Sequence, residues 1–399
     1  MLTSAMERGL PVLSDYLDRI GFVQLYKSIA TARLYHTNPN VLGWGSLERA
    51  ADLESYVTGD RAALGLAVCL MLKVAVSYDA LPPLEQQIAG RLIDAGLLIR
   101  SGGDLEMGAY QLISAQDMPL LIDSRINYPG GAVQESYFGS DSLQLAFYLD
   151  TRRVAPGDRV IDLGTGSGVI GLSLARYSNH VTMTDVSPRA LELAHVNRLL
   201  NRMTAGVELR LERCEETLGR RERYHVVAFN PPFLPLPDGL AVPVFARGLG
   251  RDGLGYCRML LEQLDHILLP EGTAYMAANL LGTAAGPFFA EEVNRHAVRH
   301  GRRIDIYIDS STRLTAGAPV FRALGAFLHR ENPAVAPEEC QRRMEELQLR
   351  LLGATHAYPS VLVIRATQDA QASVRVARWS AGAPLRPSGA RRSNEDFQQ

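Results

Sequence analysis

The sequence predicts an α/β protein, with a doubly wound and mostly parallel sheet preceded by a mainly helical domain. Three stretches of its 399 residues carry that expectation. Val160-Ile161-Asp162-Leu163 is an aliphatic run that ends in glycines at 164, 166 and 168. Val169, Ile170, Leu172 and Leu174 then resume at a spacing suited to a helix packed on a sheet. Val181-Thr182-Met183-Thr184-Asp185 reads as a second strand, ending in an acid 23 residues after Asp162. Val226-Val227-Ala228-Phe229 reads as a third, running into the stiff polar turn Asn230-Pro231-Pro232-Phe233.

Residues 1–125 read mainly as helices, with apolar-rich Ala62 to Ala75 followed by Leu84 to Leu98. In the latter Leu84, Ile88, Leu92 and Ala95 recur at helical spacing, so one face is expected to be buried. After Gly102-Gly103, Leu105 to Ile113 and Pro119 to Ile122 read as the two strands of a wing, which completes a winged-helix pattern. A DNA-binding role is disfavoured, because the helix expected over Glu85 to Arg100 sets only Arg91 and Arg100 against Glu85 and Asp94. A dimerisation element, giving a homodimer, or a cap over the catalytic pocket fits better. Tyr16, Tyr26, Tyr35, Tyr56 and Tyr78 are candidates for an aromatic wall or for ordinary core and surface positions.

Residues 126–142 form a linker and lid segment, in which Tyr128-Pro129-Gly130-Gly131 marks the crossing between domains. The sheet domain follows over 143–370. Its alternating pattern gives strands near 159–163, 181–184, 206–211, 225–229, 272–278 and 303–309, and helices near 169–177, 188–201, 252–268 and 286–300. Residues 164–168, 185 and 230–233 all fall at carboxyl ends of strands, where ligands bind in such sheets. An insertion at about 310–359, with a helix from Pro337 to Leu352, precedes a last strand at Ser360 to Ile364. Residues 371–399, with Pro384, Pro387, Gly389 and Arg391-Arg392, read as a mobile tail.

At 47% hydrophobic and 21% charged residues the chain can bury a large core. Forty-one basic against forty-three acidic residues leave a net charge of −2, so no global field favours nucleic acid. Cys69, Cys214, Cys257 and Cys340 are scattered, which indicates neither disulfides nor a zinc site and suits a reducing, cytoplasmic compartment. Met1 to Leu13 carries Glu7 and Arg8 and does not read as a secretion signal, and no apolar run is long enough for a membrane span.

Three glycines at alternate positions let the backbone lie against a ligand, and Asp185 at the end of its strand is placed to accept both hydroxyls of a ribose. The side-chain amide of Asn230 and the carbonyl preceding a proline both accept from an N–H₂ group. Pro231 and Pro232 stiffen the turn that presents them, and Phe233 offers a face for a planar substrate.

In this order, these features resemble the class I S-adenosylmethionine (SAM) dependent methyltransferases. Asn-Pro-Pro-Phe resembles the branch that methylates planar nitrogens, including glutamine amides, and Gly248-Leu249-Gly250-Arg251-Asp252-Gly253-Leu254 resembles the glutamine-methylating family, in which a Gly-Asp-Gly-Leu stretch opens the next helix. The resemblance covers about 137–310. It implies a seven-stranded Rossmann-like sheet, SAM as cofactor, and a cofactor site at Gly164, Thr165, Gly166, Gly168, Asp185, Val186 and Asn230. It further implies that Asp162 holds the glycine loop or the amino group of SAM. By the same resemblance Tyr137, Phe138 and Asp141 lie over the methionine end, where an aromatic surface suits a sulfonium cation; Ser140 or Asp141 as a simple helix cap is the alternative. The adenine acid of the family has no clean counterpart, leaving Glu212 and Glu215. The implied chemistry is methyl transfer to a planar or amine nitrogen, aligned by Asn230, Pro231, Pro232, Phe233 and Tyr137, with a small molecule or a protein glutamine as acceptor. Two alternatives stay open: a SAM cyclase releasing methylthioadenosine and azetidine-2-carboxylate, and a non-catalytic SAM-binding regulator.

Overall fold

Hydrophobic spacing in the first 123 residues builds a small helical domain. In the computed structural model, which describes residues 3–26, 65–72, 75–123, 136–203, 206–308, 310–366 and 372–378, it comprises α1 (Ser4–Arg19), α2 (Gly65–Leu72), β1 (Val76–Ser77), α3 (Pro83–Asp94), β2 (Leu98–Ser101) and β3 (Asp104–Met107). Thr3 caps α1 by accepting from the Met6 N–H at 3.1 Å. The wing differs from expectation. It is the β2–β3 hairpin around Gly102-Gly103, paired in the order β1-β3-β2, whereas β4 (Tyr110–Ala115) and β5 (Met118–Asp123) make a separate hairpin.

The expected recognition helix also differs, since α3 stops at Asp94 and Arg100 lies on β2. Glu85 is buried, accepting from the Tyr16 hydroxyl at 2.8 Å and the Leu66 N–H at 3.3 Å. Tyr16 and Tyr26 belong to this domain's core, and Tyr78 lies under the Arg100 guanidinium. Tyr35, Tyr56, the Tyr128-Pro129-Gly130-Gly131 linker and residues 379–399 lie outside the described residues.

The large sheet begins after α4 (Ser140–Tyr148). Its units run β6 (Arg159–Leu163), α5 (Val169–Ala175), β7 (His180–Asp185), α6 (Pro188–Leu200), β8 (Val207–Leu211), α7 (Cys214–Gly219), β9 (Tyr224–Phe229), α8 (Gly255–Ile267), β10 (Leu268–Thr283), β11 (Gly286–Pro287), α9 (Phe289–His300) and β12 (Arg302–Ile308). The insertion holds β13 (Thr312–Arg313), α10 (Pro319–Glu331) and α11 (Pro337–Glu345), the last continuing as a π-helical turn over Glu346–Leu351. β14 (His356–Ala366) and β15 (Ser373–Arg378) close the chain's described part. The strand order is β15-β12-β14-β10-β9-β6-β7-β8, with β11 and β13 pairing at the side of β10 and β14. β14 is antiparallel to both its neighbours, and the remaining long strands are parallel.

Two expectations need correction. Residues 373–378, read as tail, form an edge strand parallel to β12, and their Val374 and Val376 continue the alternation of a strand. The insertion carries an unforeseen second helix, α10, because Pro319 sits at its first turn and Phe321, Gly325 and Leu328 form its buried stripe. No helix among the described residues is long and apolar enough to cross a membrane.

The period of two along each strand sorts the core. Val160, Ala228, Tyr275 and Val361 face α4, α5 and α6 in one cluster that runs unbroken into the N-terminal domain. Ile161, Val227, Met276 and Leu362 face the opposite way, against α8 and α9. The N-terminal domain therefore docks behind the sheet through α1 and the β4–β5 hairpin, both of which pack on α6. A fully buried Asn197 on α6 secures that joint, accepting from the Leu121 N–H at 2.7 Å and donating to the carbonyls of Leu121 and Ser167 at 2.8 Å each. Asn197→Ala leaves these backbone groups unpaired in a dry core and is expected to destabilise the protein by about 3 kcal/mol. A urea midpoint unchanged from wild type contradicts this.

Candidate active site

The carboxyl ends of β6, β7, β8 and β9 open into a cavity of about 370 Å³. Its floor is the glycine loop. Gly166 adopts φ +56°, its N–H donates to Asp185 Oδ2 at 2.9 Å, and a Cβ there would stand 3.0 Å from the Tyr137 carbonyl oxygen. A side chain at this position would fill the channel between loop and lid. Gly164 and Thr165 also line the cavity. Gly168 does not. It begins α5 at φ +88°, and a Cβ there would meet Met183 and Ala194 at 3.0–3.2 Å, so its place is helix-to-sheet packing.

Asp185 lines the cavity where β7 ends, with Val186 and Ser187 beside it. Its Oδ1 accepts from the Ser187 N–H at 2.8 Å, so both oxygens are oriented by backbone donors and each keeps a lone pair for a further partner. Burial pushes its carboxyl above the ordinary range, against those two N–H bonds. Asp162 is fully buried and is not among the lining residues. Its Oδ2 accepts from the Thr165 hydroxyl at 2.6 Å and from the Gly171 N–H at 2.8 Å. These bonds are those of a clamp on the glycine loop, one of its two expected roles, and its Oδ1 is buried without a hydrogen-bond partner.

Burial pushes the Asp162 carboxyl up to about 7, opposed by those two hydrogen bonds. An acid whose native value exceeds its unfolded value of about 4 holds its proton more tightly when folded. Its contribution to stability is therefore complete below about pH 4 and is lost as pH rises through about 7. Asp162→Asn keeps an oxygen for both donors without ionising. It is expected to flatten the fall of Tm between pH 4 and 7, and an identical pH profile would count against the assignment.

Over the loop lies the segment 136–142. Tyr137 stacks on Phe245 at 5.5 Å, and its hydroxyl donates to Asp141 Oδ1 at 2.6 Å. Asn230, at the end of β9, donates through Nδ2 to Asp141 Oδ2 at 2.8 Å and to the Ser142 hydroxyl at 3.1 Å. Both amide hydrogens are thereby used, and the buried Asn230 Oδ1 finds no partner. Burial raises the Asp141 carboxyl, while the bonds from Tyr137 and Asn230 favour its charged form. Gly139 is forced by this cluster, because a Cβ would collide with the Tyr137 hydroxyl. Asp141 is thus more than a helix cap. Phe138, by contrast, is 4% exposed and points into the core shared with the N-terminal domain, away from the cavity.

Pro231, Pro232 and Phe233 line the cavity beside Asn230. The chain then folds back so closely that Gly253 leaves no room for a Cβ beside the Phe233 carbonyl. Asp252 holds this return, accepting from the Leu254 N–H at 3.1 Å and from Arg258, which also grips Glu292 on α9. At the far end, Glu212 and Glu215 both line the cavity. Glu212 is engaged by Arg220 and the Thr217 hydroxyl, and Glu215 pairs with Arg213 at 3.6 Å. Burial pushes the neighbouring Cys214 thiol up to about 12, so it stays protonated near neutrality and is no nucleophile.

The roof was not foreseen. Val244, Phe245 and Ala246 reach it from the loop after the Pro-Pro turn, and Leu324 and Phe327 reach it from α10 of the insertion. Their spacing of three on a helix starting at Pro319 was the available signal. Among the described residues of the N-terminal domain none lines the cavity.

The site fits SAM. Oriented acceptors at Asp185, a floor at Gly166 where a side chain would crowd the Tyr137 backbone, and the Tyr137 ring in the lining suit a nucleoside with a cationic sulfonium. Residues 139–238 match the family model of the methyltransferase small domain. The release factor glutamine methyltransferase of Deinococcus radiodurans is 32% identical over 133 residues, covering 31% of this chain and 46% of that protein. The enzyme of the same name from Streptococcus pneumoniae is 28% identical over 189 residues, covering 45% and 62%. The chain thus spans about half the length of the curated relatives it matches. A SAM-dependent methyltransferase structure from Agrobacterium tumefaciens aligns with a TM-score of 0.40 at 15% identity, covering 68% of this chain and 77% of that one. Over residues 139–238 the chain thus matches a methyltransferase domain, and these relatives support the SAM-dependent class for it.

Proposed function

We propose that this protein methylates a planar amide nitrogen, with the side-chain amide of a glutamine as the acceptor and SAM as the donor. The observation that carries the reading is the unpartnered Oδ1 of Asn230. An amide whose own N–H₂ is already committed to Asp141 and Ser142 offers only its oxygen, and an incoming N–H₂ group is the complementary donor.

SAM supplies an electrophilic methyl group on a sulfonium. The chain's part is binding and alignment. Asp185 and the glycine loop hold the nucleoside end, and Tyr137 closes over the loop. Asn230 Oδ1, with the backbone of the adjacent Pro-Pro turn, accepts from the acceptor's N–H₂ so that the nitrogen is turned toward the methyl group. Phe233 flanks the planar amide. As the N–CH₃ bond forms the S–CH₃ bond breaks, S-adenosylhomocysteine leaves as the neutral thioether, and the nitrogen gives up one proton to water; alignment in such a pocket contributes on the order of 7–11 kcal/mol in favourable cases.

The relatives above are named for glutamine methylation, which favours a glutamine amide and lends the SAM-cyclising alternative no support. The test is to incubate the purified protein with SAM alone, and with SAM plus a glutamine-containing peptide, and to follow products by mass spectrometry. S-adenosylhomocysteine and a peptide heavier by one methylene, formed only together, are expected. Methylthioadenosine with azetidine-2-carboxylate from SAM alone overturns the reading in favour of cyclisation.

A further inference from the structure

We infer that the insertion helix α10 selects the acceptor, and that the groups flanking its reacting nitrogen are apolar and carry no negative charge. The inference rests on the amide-methylation reading and adds to it the chemistry of what surrounds the amide.

The roof is made by Val244 and Phe245 from one loop and by Leu324 and Phe327 from α10, with Phe233 below. α10 is rigidly held. Its Phe321 and Leu328 are fully buried with Cys340 and Met344 of α11, and Gly325 lets α11 approach so closely that a Cβ would meet the Pro337 carbonyl oxygen at 2.9 Å. The same cluster includes Leu236, Leu240 and Ala246, so α10 is fused to the loop that follows the Pro-Pro turn. Leu324 and Phe327 stand one helical turn apart on the flank of this stripe that meets the cavity.

The charge pattern points the same way. Among the described residues that line the cavity, Arg213 is the only cation, and it follows β8 and is paired with Glu215. The acids at the Asn230 end reduce to Asp141, whose two oxygens are taken by Tyr137 and Asn230. A free α-carboxylate or a phosphate beside the reacting amide would be desolvated here with no cation to meet it, a large penalty. An apolar group at the same place gains contact with Phe245 and Phe327. Zwitterionic glutamine and nucleotides are therefore excluded, whereas an amide carried by a neutral, apolar body is admitted.

The experiment uses the full chain with SAM and three probes: N-benzyloxycarbonyl-glutamine amide, free glutamine, and adenosine monophosphate, with S-adenosylhomocysteine as the readout. The doubly capped glutamine is expected to be methylated with kcat/KM at least tenfold above free glutamine, and the nucleotide not at all. Phe327→Ala is expected to raise KM for the capped probe about tenfold or more, with kcat and the Kd for S-adenosylhomocysteine within about twofold of wild type. Phe327→Leu, which keeps an apolar side chain, is expected to recover most of the loss. Equal use of free and capped glutamine, or a capped-probe KM untouched by Phe327→Ala in a variant that still binds S-adenosylhomocysteine, overturns the inference while leaving amide methylation standing. Failure of the wild type to methylate either glutamine probe overturns the amide reading itself.

Discussion

Asn230→Ala is expected to lower kcat by about a hundredfold or more while the affinity for S-adenosylhomocysteine changes by about twofold at most. Asn230 is held at both amide hydrogens, by Asp141 at 2.8 Å and Ser142 at 3.1 Å, so its oxygen is fixed before any acceptor arrives. Loss of one such preorganised contact to a reacting group typically costs 10²–10³ in rate. Asn230→Asp is no rescue, because it would face the Asp141 carboxylate across the position of the present hydrogen bond. Single-turnover rates at saturating SAM, set beside calorimetric binding of S-adenosylhomocysteine, decide the matter. A loss confined to binding would show that Asn230 holds the cofactor and not the acceptor.

The second large effect is expected at the opposite end of the cavity and with the opposite signature. Asp185→Asn looks conservative, yet both carboxylate oxygens accept backbone N–H bonds, from Gly166 at 2.9 Å and Ser187 at 2.8 Å. An amide in their place must turn its N–H₂ toward one of these donors. Either the glycine loop or the start of α6 then loses its partner, at about 1–3 kcal/mol. The affinity for SAM should fall by about ten- to a hundredfold by calorimetry, with kcat at saturating SAM reduced far less than in Asn230→Ala. An unaltered Kd would remove Asp185 from the cofactor site.

The sheet and the two ends of this site were legible in the sequence because their signals are local. A glycine loop, an acid ending a strand and an Asn-Pro-Pro turn each declare their conformation within a few residues, and strand alternation places them at one edge of the sheet. What escaped depends on partners distant in sequence. Glu85 reads as a surface acid until Tyr16 and the Leu66 N–H are brought to it. Tyr137 and Phe138 are neighbours in the chain, yet only the first meets the cavity while the second is buried in the core. Leu324 and Phe327 belong to a helix whose apolar flank takes on meaning only when α11 and the loop after Phe233 fix its orientation. The 373–378 strand is short and follows a polar stretch, and its pairing with β12 supplies the order that composition does not.

The insertion leaves and rejoins the sheet at a single point. β13 pairs with the start of β14, Thr312 opposite Ala357, and the Leu314 N–H donates to the Thr355 carbonyl at 2.8 Å. The Thr355 N–H in turn donates to the Gly282 carbonyl at 2.8 Å. The segment between Leu314 and Thr355 is therefore tied to the sheet through a two-stranded neck whose ends already touch, and its apolar stripe rests on Leu236, Leu240 and Ala246 of the loop after the Pro-Pro turn. The insertion thus supplies one half of the roof and the loop the other. The glycine loop, Asp185 and Asn230 follow β6, β7 and β9, so a change in α10 that keeps its packing on Leu236, Leu240 and Ala246 alters the roof without touching the strands that carry the cofactor end.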